Sequence, residues 1–315
     1  MSYKVFIDGQ EGTTGLKIVE RFKDRSDIEL IRIDEDKRKD PEERKKLINS
    51  SDYTFLCLPD AAAVEAVSLV ENDHVKIIDA STAHRTEAGW AYGLPELSAE
   101  HRQKIADSKR TAVPGCYASG FNTLMYPMVK SGIAAPFQPV ICHAISGYSG
   151  GGKKLIAQYE DPERDAKFDS TRQYAMGKTH KHIKEMMAVS GLSYPPVFSP
   201  LTASFYNGMV VNVPFLLRTL NKKVTAKDVW EMMSEHYDGQ YFVRVMPFGA
   251  EGMEEETALF SNKLADTNML EIFVYGNDDY VFLASRLDNL GKGASGAAVQ
   301  CMNIMMGIDE KTGLI

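Results

Sequence analysis

The stretch "KVFIDGQEGTTGLKIVERF", at residues 4–22, limits the available folds more than any other. A short apolar run passes at once into glycines at 9, 12 and 15. Beyond them Leu16, Ile18, Val19 and Phe22 recur at helical spacing. A strand that turns through glycines into a helix opens a β–α–β unit, and the pattern repeats downstream. "IELIRID" (28–34), "DYTFLCLPD" (52–60) and "VKIIDAS" (75–81) read as strands, and the alanine-rich "AAAVEAVSLVE" (61–71) reads as a helix. Strands alternating with helices pair in parallel, so residues 1–115 are predicted to form a doubly wound α/β sheet.

From Pro139 the pattern changes. "PVICHAISGYSGGGK" reads as a strand ending in a glycine loop. "VFSPLTASF", "GMVVNVPFLL", "YFVRVMP", "LEIFVYG" and "YVFLASRLD" follow as strands with few helices between them. One helix interrupts them, "TAKDVWEMMSEHYDG", with a capping-box start at Thr225 and Asp228 and a stop at Gly239. The last segment, "GKGASGAAVQCMNIMMG" (291–307), returns to small residues at helical spacing. The expected architecture is therefore a Rossmann-type doubly wound parallel sheet plus a second α+β domain with a mainly antiparallel sheet. Residues 1–115 and 287–315 are expected to make the first domain and residues 116–286 the second. With 44% apolar residues in 315, the chain can fill two cores of ordinary domain size.

Charge excludes several partners. The net charge is −7, with no basic face or arginine-rich tract, which argues against nucleic acid or an anionic membrane. No uncharged apolar run approaches the ~20 residues of a spanning helix, and residues 1–10 lack the zones of a secretory signal. The four cysteines, at 57, 116, 142 and 301, show neither CxxC nor metal-like spacing. The expectation is a reduced cytoplasmic protein with no metal site. The charged tract "DEDKRKDPEERKK" (34–46) reads as a solvated loop running into a helix that starts near Pro41.

Glycines at 9, 12 and 15 allow a tight turn and a close approach of backbone, so that the N-terminus of the following helix, over residues 14–25, can hold a pyrophosphate. The spacing is GxxGxxG rather than GxGxxG, so an ordinary βα turn stays possible on motif alone. Asp34 ends the second strand, where a carboxylate would bind a ribose 2′-hydroxyl and favour NAD. Lys37 and Arg38 follow within reach of a 2′-phosphate and favour NADP. The residues leave that conflict open.

"AVPGCYASGFNTLMYPMVK" sets Cys116 after a Pro-Gly turn, at the head of an apolar helical face of Phe121, Leu124, Met125 and Met128. A helix N-terminus, with unpaired N–H groups, stabilises a thiolate. Cys57, Cys142 and Cys301 lie in strand or apolar helix patterns and read as packing. For Cys116 the residues alone leave nucleophile and filler equally open. A nucleophile needs a proton partner, and "YAMGKTHKHIKEMM" (174–187) offers His180 and His182. If a helix has already begun there, the two diverge and share no metal.

Five stretches, "GLPEL" (93–97), "PGCYASG" (114–120), "GYSGGGK" (147–153), "HKH" (180–182) and "DNLGKGASGAAVQ" (288–300), have the order and spacing of N-acetyl-γ-glutamyl-phosphate reductase. The chain resembles the shorter form of that family over essentially its whole length. It departs from the pattern at Ser119, where threonine is usual, and at Lys184, where proline is usual. The resemblance implies an arginine-biosynthetic enzyme that reduces an acyl phosphate to an aldehyde with NADPH. By it Cys116 is the nucleophile, forming a thioester, and His180 the general acid/base, with His182 the alternative. Gly9, Gly12, Thr13, Thr14, Gly15, Asp34, Lys37, Arg38, Ser149, Gly150, Asn289 and Lys292 are expected to bind the cofactor. Ser81, Arg85, Lys153, Tyr174 and His182 are expected at the substrate, with Tyr174 also orienting His180. The loop "SGYSGGGKK" is expected to offer backbone N–H groups and Lys153 as an anion nest. The implied partners are a small-molecule acyl phosphate and further copies of the chain, as a dimer or tetramer.

Rival readings remain. A cysteine–histidine hydrolase would release the acyl group to water without a dinucleotide. A non-catalytic dinucleotide-binding protein would use Cys116 only for packing. Within the reductase reading, the acyl group could instead be aspartyl or carrier-linked glutamyl.

Overall fold

The computed structural model describes residues 2–176, 180–252 and 258–314. The chain divides into two compact units, one made of residues 1–115 and 294–315, the other of residues 116–293.

The first unit begins with β1 (Tyr3–Asp8), α1 (Thr13–Arg21), β2 (Ile28–Ile31), α2 (Pro41–Ser50), β3 (Tyr53–Leu56), α3 (Asp60–Ser68) and β4 (Lys76–Asp79). It continues with β5 (Ala91–Tyr92), α4 (Ala99–Asp107) and β6 (Arg110–Ala112). Six strands pair in the order β2-β1-β3-β4-β6-β5, and every pair is parallel. The order reverses direction at β1, between β2 and β3, and in such sheets the crevice at that reversal collects ligands. Register sets Asp8 beside Leu56, Leu56 beside Asp79 and Asp79 beside Ala112. The glycine loop, Cys57–Pro59, the Ser81–Arg85 turn and Val113 therefore leave the sheet along one carboxyl edge. Phe6, Ile18, Phe55 and Ile78 fill its core.

Residues 34–46 depart from the solvated reading at one position. The helix α2 starts as expected, with Asp40 capping the Glu42 amide and Pro41 at its first turn. Arg44, however, is buried, because its guanidinium is drawn inward by Asp8.

The helix Gly296–Met306 closes the first unit and is buried through Met305. Its Gln300 donates to Glu96, the Met305 carbonyl accepts from Lys76, and Cys301 reaches the Gly93 carbonyl.

The second unit runs α5 (Cys116–Lys130), β7 (Ile141–Gly147), α6 (Gly152–Glu160), β8 (Arg172–Gln173), α7 (Ile183–Ser190), β9 (Val197–Ala203) and β10 (Met209–Leu216). It ends with α8 (Ala226–His236), β11 (Val243–Val245), β12 (Leu270–Gly276) and β13 (Tyr280–Leu287). Among the described residues seven strands pair in the order β11-β12-β13-β10-β7-β9-β8. Four of the six neighbouring pairs are antiparallel, while β7/β9 and β11/β12 are parallel. Alternation along β10 sends Met209, Val211, Val213 and Phe215 into a core with Phe121, Leu124 and Met125 of α5. The opposite face leaves Ile141, Val197, Leu216 and Tyr280 exposed.

Two details seat α5 on the sheet. Gly120 lies so close that a Cβ there would stand 2.7 Å from both Ser285 Oγ and Val211. Pro127, lacking an N–H, leaves the Thr123 carbonyl without its helical donor, and the Tyr237 hydroxyl fills that vacancy at 2.7 Å. The capping box at Thr225 and Asp228 forms as the residues predict. Residues 288–293 belong with the second unit because they bond within it, Asp288 to Asn207 and Asn289 to Gly208.

Candidate active site

At the end of β1 the chain can turn only through glycine. Gly9 has φ +87°, and a Cβ there would lie 2.4 Å from the Cys57 carbonyl oxygen. A Cβ on Gly15 would meet the Gly9 oxygen at 2.6 Å, so that glycine lets α1 close on the turn. Gly12 is the N-cap of α1, where no side chain caps the helix and no acidic residue occupies the first turn. The Thr13 hydroxyl is buried there without a hydrogen-bond partner among the described residues. An uncapped helix start, a backbone cradle and an unsatisfied hydroxyl together fit a phosphate group. Beside them lies a cavity of about 290 Å³, lined by Asp8–Gly12, Cys57–Pro59, Ile33, Glu35, Arg38 and Lys39.

Of the residues expected to choose between NAD and NADP, Arg38 lines this cavity and Asp34 and Lys37 do not. Asp34 instead lies 3.7 Å from Lys37 in an exposed ion pair. Lys39, which the sequence reading passed over, lines the cavity too.

Farther along the same edge, buried Asp79 accepts hydrogen bonds from the Ser81 amide (2.8 Å) and hydroxyl (2.7 Å), and its other contact is His84 Nδ1 at 2.6 Å. His84 stacks on Trp90 with ring centroids 4.1 Å apart. Ser81, expected at the substrate, thus spends its hydroxyl proton on Asp79. Arg85 donates through Nε to the Val113 carbonyl (2.9 Å) and through Nη2 to that of Ala80 (3.2 Å). Carbonyl anchoring fixes the guanidinium plane close to the turn that leads into Cys116.

In the second unit α5 begins at Cys116, which is half-buried. Close packing enforces its position, since a Cβ on Gly293 would stand 2.6 Å from Cys116 Cβ. Gly293 belongs to a single π-helical turn, Gly291–Ser295. The other thiols differ. Burial pushes those of Cys57 and Cys142 far up, so both stay protonated at neutral pH. Cys57 is no strand filler, however: it lies just beyond β3 and faces the cavity.

Around the Cys116 end of α5 the structure gathers Tyr117, Tyr174, His180, His182 and Phe198. The His180 ring lies 5.8 Å from that of Tyr117, 6.0 Å from that of Tyr174 and 5.1 Å from that of Phe198. Its Nδ1 accepts the His182 backbone N–H at 3.1 Å. An accepting Nδ1 places the proton of the neutral ring on Nε2. The two histidines do not diverge, because α7 begins only at Ile183, and their rings lie 4.7 Å apart. No group of three His, Cys, Asp or Glu placed to hold a metal occurs among the described residues.

Tyr174 donates to the Tyr117 hydroxyl at 3.2 Å, and Tyr117 donates to the Leu201 carbonyl at 3.2 Å. Tyr174 therefore supports His180 by ring packing, with its hydroxyl committed elsewhere. Burial pushes the Tyr174 phenol up to about 12 and holds Tyr117 higher than an ordinary tyrosine as well. Tyr117 was missed from sequence, although its place directly after the cysteine puts it one residue into the same helix.

Asn289 is tied up inside the second unit: Oδ1 accepts from the Gly208 amide (2.8 Å) and Nδ2 donates to Ser149 Oγ (2.9 Å). It anchors the glycine loop. In that loop the amides of Gly147, Tyr148 and Ser149 go to the carbonyls of Gly208, Phe205 and Tyr206, so they are not free to form a nest. Gly150 approaches the Asn289 amide, with a Cβ position 3.4 Å away. Lys153 is exposed at the start of α6, and Lys292 is fully buried with its ammonium 5.6 Å from the Phe242 ring centroid.

Residues 4–105 match the family model described as semialdehyde dehydrogenase, NAD binding domain, and residues 116–289 match the semialdehyde dehydrogenase dimerisation domain. The chain is 46% identical to N-acetyl-gamma-glutamyl-phosphate reductase 2 of a Nostoc species over 319 residues, covering 99% of each. It is 43% identical to the reductase of that name from Pseudomonas putida, covering 96% of each. Among solved structures, aspartate semialdehyde dehydrogenase from Francisella tularensis is similar with a TM-score of 0.73 at 15% identity, over 96% of this chain and 100% of that one. Aspartate semialdehyde dehydrogenase II from Vibrio cholerae gives 0.71 at 14%, over 98% and 99%. Those two likenesses carry the fold alone. Near-complete coverage at such identity settles the family: this chain belongs to the N-acetyl-γ-glutamyl-phosphate reductases, within the semialdehyde dehydrogenases.

Proposed function

We propose that the protein reduces N-acetyl-γ-glutamyl phosphate to N-acetylglutamate semialdehyde and phosphate in arginine biosynthesis, with NADPH as reductant and Cys116 as nucleophile. The observation that carries this reading is the half-buried Cys116 at the first residue of a 15-residue helix, directly before Tyr117, whose ring lies 5.8 Å from that of His180. The positive end of the helix dipole favours the Cys116 thiolate. That sulfur attacks the acyl carbon; the C–S bond forms and the bond to phosphate breaks, with phosphate taking the electron pair and one proton. Bound NADPH supplies the hydride that lowers the thioester to the aldehyde level. When the resulting adduct opens, the C–S electron pair returns to Cys116, which needs no net proton.

His180 serves both tetrahedral stages from Nε2, where its proton lies, as a donor to the oxygen that becomes negative. Donors of this kind contribute about 10²–10³ in rate. The His182 backbone holds the ring that way round. Arg85, pinned on two carbonyls, and exposed Lys153 are assigned to the anionic ends of the substrate. Preference for NADP is supported by Arg38 and Lys39, two cations that share the cavity wall with Glu35, and by Asp34 lying off it. Assembly into a homo-oligomer is supported by the exposed part of the second face of the second unit's sheet, at β7 and β9, beyond the stretch where Val210, Phe273 and Ala284 are covered. Ile141 and Val197 are paired and exposed there, and the His143 ring on that face has an Nδ1 without a partner among the described residues. No helix among those residues is long and apolar enough to cross a membrane.

The test is NADPH oxidation against N-acetyl-γ-glutamyl phosphate and aspartyl phosphate in parallel. Oxidation with the first and little with the second supports the reading, and the reverse assigns another acyl group. Phosphate release with unchanged NADPH absorbance marks a hydrolase.

A further inference from the structure

We propose that Arg44 is a positioning residue for cofactor binding: it holds the Asp8 carboxylate in a buried ion pair and so makes an acidic turn fit to receive an anionic dinucleotide. The inference rests on the dinucleotide reading above. Asp8 ends β1, immediately precedes Gly9 and lines the cavity. Its position beside a phosphate site is unfavourable, because a buried carboxylate repels a phosphate through protein that screens poorly. Arg44 answers that charge directly, with Nε 3.0 Å from Asp8 Oδ2 and both side chains almost wholly buried.

The same guanidinium reaches α3, donating through Nη1 to Glu65 Oε2 at 2.8 Å and through Nη2 to the Ala62 carbonyl at 3.4 Å. One side chain from α2 thereby ties the end of β1 to α3. Glu65 is half exposed, so water screens it, whereas Asp8 depends on Arg44. An unneutralised carboxylate beside a bound anion in a partly screened interior is expected to weaken affinity by about tenfold.

The experiment measures NADPH dissociation constants at pH 8 on the full chain by fluorescence titration, with thermal unfolding to verify folding. Arg44→Met is expected to bind about tenfold more weakly, and Arg44→Lys, which keeps the charge, within about threefold of the unaltered chain. Asp8→Asn alone is expected to bind more tightly. The double variant Asp8→Asn/Arg44→Met is expected to recover most of the loss, and the loss in Arg44→Met is expected with NADPH but not with adenosine, which carries no phosphate; a purely structural defect would weaken both. Binding by Arg44→Met within twofold of the unaltered chain, or a double variant as weak as the single one, overturns the inference. If Arg44→Met does not fold, Asp8→Asn decides: NADPH binding by it no tighter than by the unaltered chain overturns the inference. Absence of NADPH binding by the unaltered chain instead removes the dinucleotide reading, and this inference with it.

Discussion

Gly293→Ala places one methyl group against the residue on which the chemistry depends. Its Cβ would lie 2.6 Å from Cys116 Cβ and 3.1 Å from both Cys116 Cα and the Asp288 carbonyl oxygen. Carbon atoms rest about 3.5–4.0 Å apart, so something must move by roughly 1 Å. Neither neighbour is the free end of a flexible side chain. Cys116 is fixed by α5, and Asp288 is held by Asn207 and by the Leu290 amide. The displacement therefore falls on the sulfur or on the π-helical turn. A reacting group misplaced by about 1 Å loses on the order of 100-fold in rate, and the overpacking costs about 1–3 kcal/mol of stability. Steady-state kinetics should show kcat down by about two orders of magnitude while the NADPH dissociation constant moves less than about threefold. Alkylation of Cys116 by iodoacetamide should change rate in parallel, since it reports the sulfur's placement without cofactor. A Gly293→Ala variant with kcat within about threefold of the unaltered chain refutes the reasoning.

Other expectations follow from single contacts. Cys116→Ser abolishes reduction and leaves NADPH binding intact, read by turnover and titration on one preparation. His180→Gln, which keeps an N–H donor, retains more activity than His180→Ala, and the gap is read as kcat; equal losses would mean that donation from Nε2 is not its role. Tyr237→Phe leaves the Thr123 carbonyl buried without a donor and costs about 1–3 kcal/mol in denaturant unfolding, with kcat little changed. Tyr174 ionises at about 12 in the folded chain but near 10 when unfolded. The unfolded state thus loses its proton first, so Tyr174 contributes stability in full below about 10 and loses it as pH rises toward 12. Tyr174→Phe should accordingly flatten the alkaline fall in unfolding free energy and leave the pH–rate profile below pH 9 unshifted.

What was legible in the sequence is what local pattern encodes. Alternating periods identified the two sheets, and the Pro-Gly break marked Cys116 as a helix start because proline and glycine act on their own backbone. The capping box at Thr225 needs only residues three apart. The remainder depends on partners distant in sequence. Arg44 sits in a tract of charges whose composition says solvent, yet Asp8, 36 residues earlier, draws it inside. Asn289 reads as a ligand-binding amide until Gly208 and Ser149 take both its ends. The glycine loop at 147–152 advertises free amides, and the connection between β9 and β10 consumes the first three. His180 and His182 come together because α7 starts one residue after them, a boundary that periodicity cannot place so finely.

Mixing the protein with N-acetyl-γ-glutamyl phosphate in the absence of NADPH, quenching in acid and mapping peptides by mass spectrometry tests the sulfur's role most directly. The account predicts one equivalent of phosphate released per chain and an N-acetylglutamyl group on the peptide bearing Cys116, discharged when NADPH is added before the quench. An acyl group on any other residue, or NADPH oxidation at full rate by a chain that never carries one, would contradict it.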